Sequence, residues 1–320
     1  MPRHRGTFDP EKEEPYELSR SKVEDFHRCR ACFWLERARG VKFPGMPGFN
    51  LNINTDVLLK RDFERYRQKQ EPHPFMVMYG LDHLVPFAHE DMERWENSMH
   101  FGAANHFNAL HEETNILFGG GLDDVWQNRE TGELHIVDYK STAQGVNGPK
   151  KEPQPVDLEG PWKISYKRQI DMYQWVMRKK GYEVSDTGYF LYVDGQHWGI
   201  EGMLDEDPSH ATMKFSATLL SYEGDDSWVD DALCRIKKLL LQPNCPSHAD
   251  GCEHGRFLEG VTEALIHNPT RSEEELKHLV ETTIESLGAT NMKDMTNVMS
   301  HLPRHLAGSE DMGDISRLVR

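Results

Sequence analysis

The sequence predicts an α+β protein in which helices flank a mixed sheet, and two observations lead to that prediction. Apolar runs with strand character occupy residues 115–126, 134–141 and 187–194. Helical spacing of apolar residues extends over residues 162–181 and again over 225–242. Strands and helices in this order are typical of a sheet covered by helices on its faces.

Length and composition limit the protein class further. A chain of 320 residues is long enough for two domains. No apolar run is long enough to span a bilayer, and five cysteines without framework spacing fit a reducing compartment. We therefore expect a cytoplasmic protein that does not contact membranes. Residues 1–17 are rich in proline and charge, which predicts a disordered N-terminal tail.

The net charge of −16 argues against a protein that coats nucleic acid with a broadly positive surface. A protein with this charge that acts on nucleic acid must confine its positive potential to a groove. Bound metal ions would then supply part of the positive charge.

The first two strand runs predict a hairpin that carries acidic residues and a lysine. The first run ends in Asp123 and Asp124, residues 127–133 form a polar turn, and the second run contains Asp138 and Lys140. Alternation along a strand puts Asp138 and Lys140 on one face. Carboxylates from adjacent strands suit Mg²⁺ or Mn²⁺, and a nearby lysine can orient a water. The alternative is a solvated hairpin rim with a single salt bridge.

A further motif lies on the helix predicted over residues 162–181. Gln169 and Tyr173 stand one turn apart on one face of this helix. The order of G-x-x-D from Gly120, D-x-K from Asp138 and Q-x-x-x-Y from Gln169 resembles the RecB-like branch of the PD-(D/E)XK nucleases. The S-x-S-x-V-x-x-F-x-x-C segment that begins at Ser19 is similar to the entry helices of that branch.

The resemblance covers roughly residues 18–257 and implies a nuclease domain over 18–262 with a restriction-endonuclease-like core. It implies divalent-metal-dependent hydrolysis of phosphodiester bonds, with DNA as the favoured substrate. Three groups are then expected to bind Mg²⁺ or Mn²⁺: the carboxylates of Asp123 and Asp138 and the backbone carbonyl of Tyr139. The alternatives are a nuclease directed at RNA or tRNA, and a non-catalytic module that binds nucleic acid after losing a metal ligand.

The same resemblance assigns roles to the remaining site residues. Lys140 positions or activates the attacking water, Gln169 and Tyr173 brace the site, and Asp124 is an alternative ligand. A further metal ligand is expected on a helix that begins near Thr55. Lys60 falls near the expected position, and we choose Asp62 from the carboxylates of that helix, which are Asp56, Asp62 and Glu64.

Four cysteines form a possible second metal site. Cys29 and Cys32 make a C-x-x-C motif, and Cys245 and Cys252 follow late in the chain. In the RecB-like branch such cysteines hold an iron–sulfur cluster. Gly255 stands where a further cysteine is usual, and Cys245 could take its place.

Histidines offer another ligand set at this site. His248 or His254 could complete it, which would favour zinc over iron–sulfur. The alternative is a decayed site with free thiols.

Residues 268–320 predict a small unit of three helices. Its first helix has a capping box at Ser272 and is closed by Gly288. The segment GATNMKDMTNVM resembles part of the tail shared by YqeY proteins and the GatB amidotransferase subunit. This copy carries more Asp and Glu than Lys and Arg, which favours a docking or self-association module over a nucleic-acid contact.

Overall fold

The computed structural model describes residues 3–43, 48, 50–143, 155–197, 199–267, 273–288, 290, 294 and 298. The chain divides into two compact units, Met1–Asp250 and Gly251–Arg320. The boundary predicted at residue 262 falls inside a continuous helix of the second unit, Glu253–His267. The cooperative hydrogen bonding of a helix makes its interior a poor domain boundary.

The first unit begins with strand β1 (Tyr16–Ser19), followed by helices α1 (Arg20–Arg28) and α2 (Arg30–Arg39). The prediction of a disordered tail before β1 is wrong for the residues from Arg3 onward. Phe8 is buried against the same core as Tyr16, and Arg3 is paired with the buried carboxylate of Glu17. Proline and charge dominate this stretch by number, but a few apolar anchors are enough to order it.

One long helix and several short elements follow the entry helices. They are α3 (Asn50–Lys69), α4 (Pro74–Met78), β2 (Leu84–Pro86), α5 (Met92–Trp95) and a 3₁₀ turn (Ser98–His100). Helix α3 begins before Thr55, where the sequence placed its start. The Thr55 hydroxyl instead donates a 2.8 Å hydrogen bond to the Asn52 carbonyl, a contact within the helix.

Two sheets form the centre of this unit. The first consists of β1, β3 (Asn108–His111) and β4 (Ile116–Gly119), in the order β1-β4-β3. The second has the order β2-β5-β6-β7-β8, and its β6–β7 pair is parallel while its other pairs are antiparallel. Its remaining elements are β5 (Asp124–Asn128), β6 (Leu134–Thr142), β7 (Thr187–Gly195) and β8 (Phe215–Glu223), with helices α6 (Ile164–Lys179) and α7 (Val229–Leu240) following β6 and β8. The predicted mixed α/β architecture with flanking helices is confirmed.

The first predicted strand is in fact two strands in different sheets. Strand β4 ends at Gly119 and β5 starts at Asp124, so residues 120–123 form a crossing segment. A Cβ added to Gly120 would lie 2.6 Å from the Tyr173 hydroxyl oxygen. Glycine is needed here because the backbone passes directly against the α6 side chain. The apolar pattern of the run does not reveal this break.

Strand β6 has the alternation that the sequence predicts. Leu134 and Ile136 pack into the larger core, which includes α6 and α7 residues. Val137 and Tyr139 pack into a second core on the opposite face of the sheet, against Phe63 of α3. Two covered faces explain why this strand is buried from Leu134 to Tyr139.

The second unit contains helices α8 (Glu253–His267) and α9 (Glu273–Leu287). Gly288 follows α9 with a φ of +59°, in the left-handed region that favours glycine at a helix end. The first predicted tail helix is therefore confirmed, including its closing glycine. The capping residue Ser272 and the other two predicted helices lie outside the described residues.

Candidate active site and cysteine–histidine cluster

The parallel pairing of β1 with β4 brings together the ends of two distant segments. Ser19 is in register with Gly119, so Arg20 and Gly120 leave their strands side by side. The chain then turns through the glycine segment to Asp123. The antiparallel pairing of β5 with β6, in which Asp124 faces Val137, places Asp138 beside this turn.

Asp123, Asp138 and Lys140 converge at this point. The Asp123 Oδ2 atom accepts a 2.9 Å hydrogen bond from the Tyr139 backbone N–H, which fixes it against β6. Its carboxylate is within hydrogen-bonding reach of the Asp138 carboxyl, and the Lys140 ammonium forms an ion pair with Asp138. Burial raises the pKa of Asp138; the Lys140 ammonium opposes this shift, and the Asp123 charge adds to it.

Helix α6 supplies the next two predicted residues. Gln169 Nε2 donates a 2.6 Å hydrogen bond to Asp138 Oδ1, which fixes the orientation of that carboxylate. Tyr173, one turn later, is buried beside Gly120 and hydrogen-bonds with Arg20. Burial raises the pKa of the Tyr173 hydroxyl, and Arg20 counteracts part of that shift.

Arg20 is a site residue that the sequence analysis missed. Burial lowers the pKa of its guanidinium, but Tyr173, Asp138 and Asp123 raise this pKa by more. The guanidinium therefore stays positively charged although it is buried. The available signal was a cation between the two serines of S-x-S. It was overlooked because the preceding residues were expected to be disordered, with no strand to fix the position of Arg20.

These side chains surround a cavity of about 600 Å³. Its wall contains three cationic side chains, Arg5, Arg20 and Lys140, and one carboxylate, Asp123. A chain with a net charge of −16 thus has an open cavity whose charged lining is mainly positive. An anionic group such as a phosphate would be attracted to this location.

Helix α3 does not present Asp62 to the site, so the prediction of Asp62 as a ligand is wrong. Its side chain is 55% exposed and lies 3.6 Å from Arg65 on the same helix. The face of α3 toward the site instead carries Asp56 and Lys60. Asp62 lies six residues after Asp56, which is about 1.7 helical turns. Asp62 is therefore on a different face of α3 and points away from the site.

Lys60 occupies the position where a metal ligand was expected. Its ammonium lies 3.3 Å from Asp56, 3.9 Å from Asp123 and 4.0 Å from Glu96. Burial raises the pKa of Glu96 to about 7, against the opposing charge of Lys60. Glu96 was another site residue missed by the sequence analysis, because it follows α5 in a segment without a recognisable motif.

The donor set at Asp123 and Asp138 fits a hard divalent cation. Asp138 Oδ2 is a buried oxygen, and it forms an ion pair with the Lys140 ammonium. Within the described part of the chain, groups of three or more His, Cys, Asp or Glu ligands occur elsewhere and not at this pair. Mg²⁺ commonly binds through one or two carboxylates and retains several waters. Two carboxylates therefore suffice for Mg²⁺ or Mn²⁺, and the Tyr139 carbonyl as a ligand stays a prediction.

Asp124 belongs to the opposite face of the sheet and is not an alternative ligand. It is fully buried, and its Oδ1 accepts a 2.8 Å hydrogen bond from Arg67. Its Oδ2 accepts hydrogen bonds from Tyr139 at 2.6 Å and Trp126 at 3.2 Å. Adjacent residues in an extended chain point in opposite directions, so Asp123 faces the cavity while Asp124 anchors the second core.

Cys29, Cys32 and His248 form a separate cluster in the first unit. The Sγ atoms of Cys29 and Cys32 lie 3.5 and 3.6 Å from His248 Nδ1. Tetrahedral zinc with bonds of about 2.3 Å to sulfur and 2.0–2.1 Å to nitrogen places these atoms about 3.6 Å apart. Burial would raise the pKa of the Cys29 thiol, but hydrogen bonds from Ala249, Cys32 and His248 lower it to about 6.

Cys245 does not join this cluster, so its prediction as a ligand is wrong. It is exposed, and its Sγ lies 3.3 Å from the Pro246 carbonyl. The proline that follows Cys245 restricts the local backbone, and the next histidine occupies the ligand position instead. Cys252 belongs to the second unit and follows His248 by four residues, and its role as a ligand stays a prediction.

Comparison with known proteins bears on the C-terminal segment. A family model described as Yqey-like protein matches residues 268–320. Neither the curated proteins nor the solved structures give a match to the chain. No helix within the described ranges is long and apolar enough to cross a membrane. The molecule is thus a mixed α/β protein with a charged cavity, followed by a YqeY-like segment.

Proposed function

We propose that the first unit is a divalent-metal-dependent nuclease of the RecB-like PD-(D/E)XK class that hydrolyses phosphodiester bonds, with DNA as the favoured substrate. The observation that carries this proposal is that Asp123, Lys140 and Gln169 line one cavity, while the buried Asp138 contacts both Lys140 and Gln169. Along the chain these residues follow the order of the G-x-x-D, D-x-K and Q-x-x-x-Y motifs.

The cavity charge supports an anionic substrate. Arg20 and Lys140 lie within one wall of the cavity, where a phosphodiester can approach both. The Lys140 ammonium lies 4.9 Å from the ring centroid of Tyr166, and Trp162, two residues before α6, is 84% exposed. Aromatic rings next to a cationic groove are the surfaces on which unpaired bases stack, which favours single-stranded or frayed ends.

Each residue has a distinct task in the proposed reaction. Water attacks phosphorus as the bond to the leaving oxygen breaks, and the proton that the water loses is taken up by solvent while solvent protonates the leaving oxygen. Negative charge grows on the phosphate oxygens during this step. The Lys140 ammonium holds the water and offsets this charge, and Arg20 pairs with a non-bridging oxygen. Gln169 keeps Asp138 in one orientation, and Tyr173 holds Arg20. When bound by Asp123 and Asp138, Mg²⁺ or Mn²⁺ supplies Lewis-acid stabilisation of the same charge.

The test is a cleavage assay on single- and double-stranded DNA and on tRNA, with Mg²⁺, Mn²⁺ or EDTA. We expect cleavage of DNA with either metal and none with EDTA. Preferential cleavage of tRNA would favour an RNA-directed nuclease over a DNA-directed one. No cleavage of any substrate under all conditions would exclude the enzymatic proposal.

One observation favours a second candidate, a non-catalytic module that binds nucleic acid. The Lys60 ammonium sits among Asp56, Glu96 and Asp123, so a built-in cation already neutralises part of the carboxylate cluster. In this candidate, binding of DNA would persist in EDTA and no product would form. Replacing Lys60 by glutamate separates the two, because a module that has lost a metal ligand should gain cleavage from the new carboxylate, whereas an active nuclease already cleaves DNA before the change.

For the cysteine cluster we propose a structural zinc ion held by Cys29, Cys32 and His248. Metal analysis of the purified protein should find zinc, and a Cys32→Ser variant should contain one zinc less per chain. Cys245→Ser is the matched control and should retain the wild-type content. A brown protein with iron and sulfide would instead establish an iron–sulfur cluster, and a metal-free wild type would contradict both.

For the tail we propose a docking or self-association role, independent of catalysis. Every proposed catalytic residue belongs to the first unit, and the matched segment 268–320 is acidic. A chain that ends after His267 keeps helix α8 complete and should cleave DNA at the full-length rate. Its apparent mass in solution, measured by light scattering, should fall by more than the deleted residues explain. A folded truncation that has lost activity would refute this independence.

A further inference from the structure

A second group of metal-ligand side chains lies outside the candidate active site and the cysteine–histidine cluster. His111 is the last residue of β3, and Glu113 follows it in the turn to β4. Cys234 lies on α7, one turn after Asp230 and on the same helix face. Ligand atoms of His111, Glu113 and Cys234 all lie within 4.8 Å of one another.

His111 is held in one orientation. Its side chain is buried, and Nδ1 lies 2.8 Å from the Thr114 hydroxyl oxygen. That hydroxyl is also in contact with the His111 carbonyl, and in the tautomer that a metal requires it accepts the Nδ1 proton. The lone pair of Nε2 then points away from Thr114. A partner that fixes one ring nitrogen and leaves the other for a metal is the usual arrangement at metal-bound histidines.

The Nε2 atom faces a second acceptor. It lies 3.3 Å from Asp230 Oδ1, so a proton or a cation must lie between the imidazole and the carboxylate. Tetrahedral bonds of about 2.0–2.1 Å place two such ligand atoms about 3.3–3.4 Å apart. The Cys234 thiol in turn hydrogen-bonds to the Glu113 carboxylate. An imidazole, a carboxylate and a thiol thus lie around one point, and the Asp230 carboxylate contacts the imidazole.

We propose that His111, Glu113 and Cys234 bind a zinc-class transition-metal ion, with Asp230 at the fourth position. Mixed nitrogen, sulfur and oxygen donors suit Zn²⁺ and disfavour Mg²⁺, which takes oxygen ligands. An open cavity of about 590 Å³, lined in part by His111, Glu113 and Asp230, gives the ion a path from solvent. The Lys179 ammonium, 3.4 Å from Asp230, balances the remaining negative charge.

The bound ion would connect the β3–β4 turn to α7, two regions that are distant in sequence. Strand β3 belongs to the three-stranded sheet, while α7 packs into the larger core through Leu233 and Ile236. A metal bridge between the β3–β4 turn and α7 would stabilise the folded state by an amount that grows with the logarithm of the zinc concentration relative to Kd. This site uses no residue of the proposed nuclease chemistry, so its test is independent of that function.

The experiment measures alkylation of Cys234 in the full-length protein, with Zn²⁺ alone as the probe. Peptide mass spectrometry resolves Cys234 from the other cysteines, so zinc bound elsewhere does not obscure the result. We expect Zn²⁺ to slow alkylation of Cys234 at least about tenfold, because a metal-bound thiolate is not free to react. An equal rate with and without Zn²⁺ would overturn the proposal.

Two exposed neighbours provide a matched pair of variants that leave the fold intact. Glu113→Gln should raise the Zn²⁺ concentration needed for protection by at least about tenfold, the loss typical of a disturbed metal site. Glu112→Gln, one residue earlier and also exposed, should leave that concentration unchanged. Protection equally strong in Glu113→Gln and in His111→Ala would show that zinc acts elsewhere in the protein, and would also overturn the proposal.

Discussion

Replacing Lys140 by alanine is expected to lower the rate of metal-dependent DNA cleavage by about 100- to 1,000-fold, the usual cost of removing one preorganised charge-stabilising group. The ammonium is only 16% exposed and pairs with Asp138, so its position is already set before substrate binds. Water that fills the space left by the ammonium would supply neither its positive charge nor its fixed position. Single-turnover cleavage at saturating protein, with Mg²⁺ or Mn²⁺, measures this loss in the chemical step.

The control is Lys238→Ala, which removes an exposed lysine of α7 outside the cavity lining. It changes the net charge of the protein by the same amount and should leave the rate unchanged. Lys140→Ala should also bind DNA in Ca²⁺ with an affinity close to that of the wild type, because Arg5 and Arg20 remain in the cavity. Equal cleavage rates for Lys140→Ala and Lys238→Ala would remove Lys140 from the proposed mechanism.

The second large effect is on stability and concerns Asp124. Replacing it by alanine is expected to lower the free energy of unfolding by about 3–5 kcal/mol, the cost of leaving a buried partner charge unpaired. Arg67 would lose its carboxylate in a nearly closed environment, where its side chain is 7% exposed. The hydroxyl of Tyr139 and the indole of Trp126 would also lose their acceptor. Urea unfolding followed by circular dichroism measures the difference.

The neighbouring residue gives the contrast. Asp123→Asn removes one of two facing carboxylates, so it relieves repulsion with Asp138. Its free energy of unfolding should stay equal or rise, while its cleavage activity is lost, as is common when a functional charge is removed. A double variant Asp124→Ala/Arg67→Met should be more stable than the Asp124→Ala single variant, because no unpaired charge remains. Similar stabilities of Asp123→Asn and Asp124→Ala would contradict the assignment of opposite faces.

Local patterns in the sequence predicted much of the secondary structure. The alternation along residues 134–141 set which side chains of β6 share a face, and the helical spacing that follows placed Gln169 and Tyr173 together on α6. Gly288 marked the end of α9 in the same way. These features depend on the geometry of a single element, which repeats every two residues in a strand and every 3.6 in a helix.

Local patterns could not show where the chain leaves one sheet for another. Residues 115–126 read as a single apolar strand, yet the close approach of Tyr173 divides them at the glycines. The residues before β1 are likewise structured because Phe8 packs into a core that includes side chains of later helices. Composition records the average character of a segment and does not record what that segment packs against.

Sequence patterns were enough to predict the face of β6 that carries Asp138 and Lys140 and the YqeY-like character of residues 268–320. Only the folded structure shows that Asp123 faces the cavity while Asp124 faces Arg67, and that α3 contributes Lys60 in place of Asp62. The physical reason is that charge pairing acts through space, between side chains that the chain itself keeps far apart. Such pairs become visible only when the sheets and helices have docked.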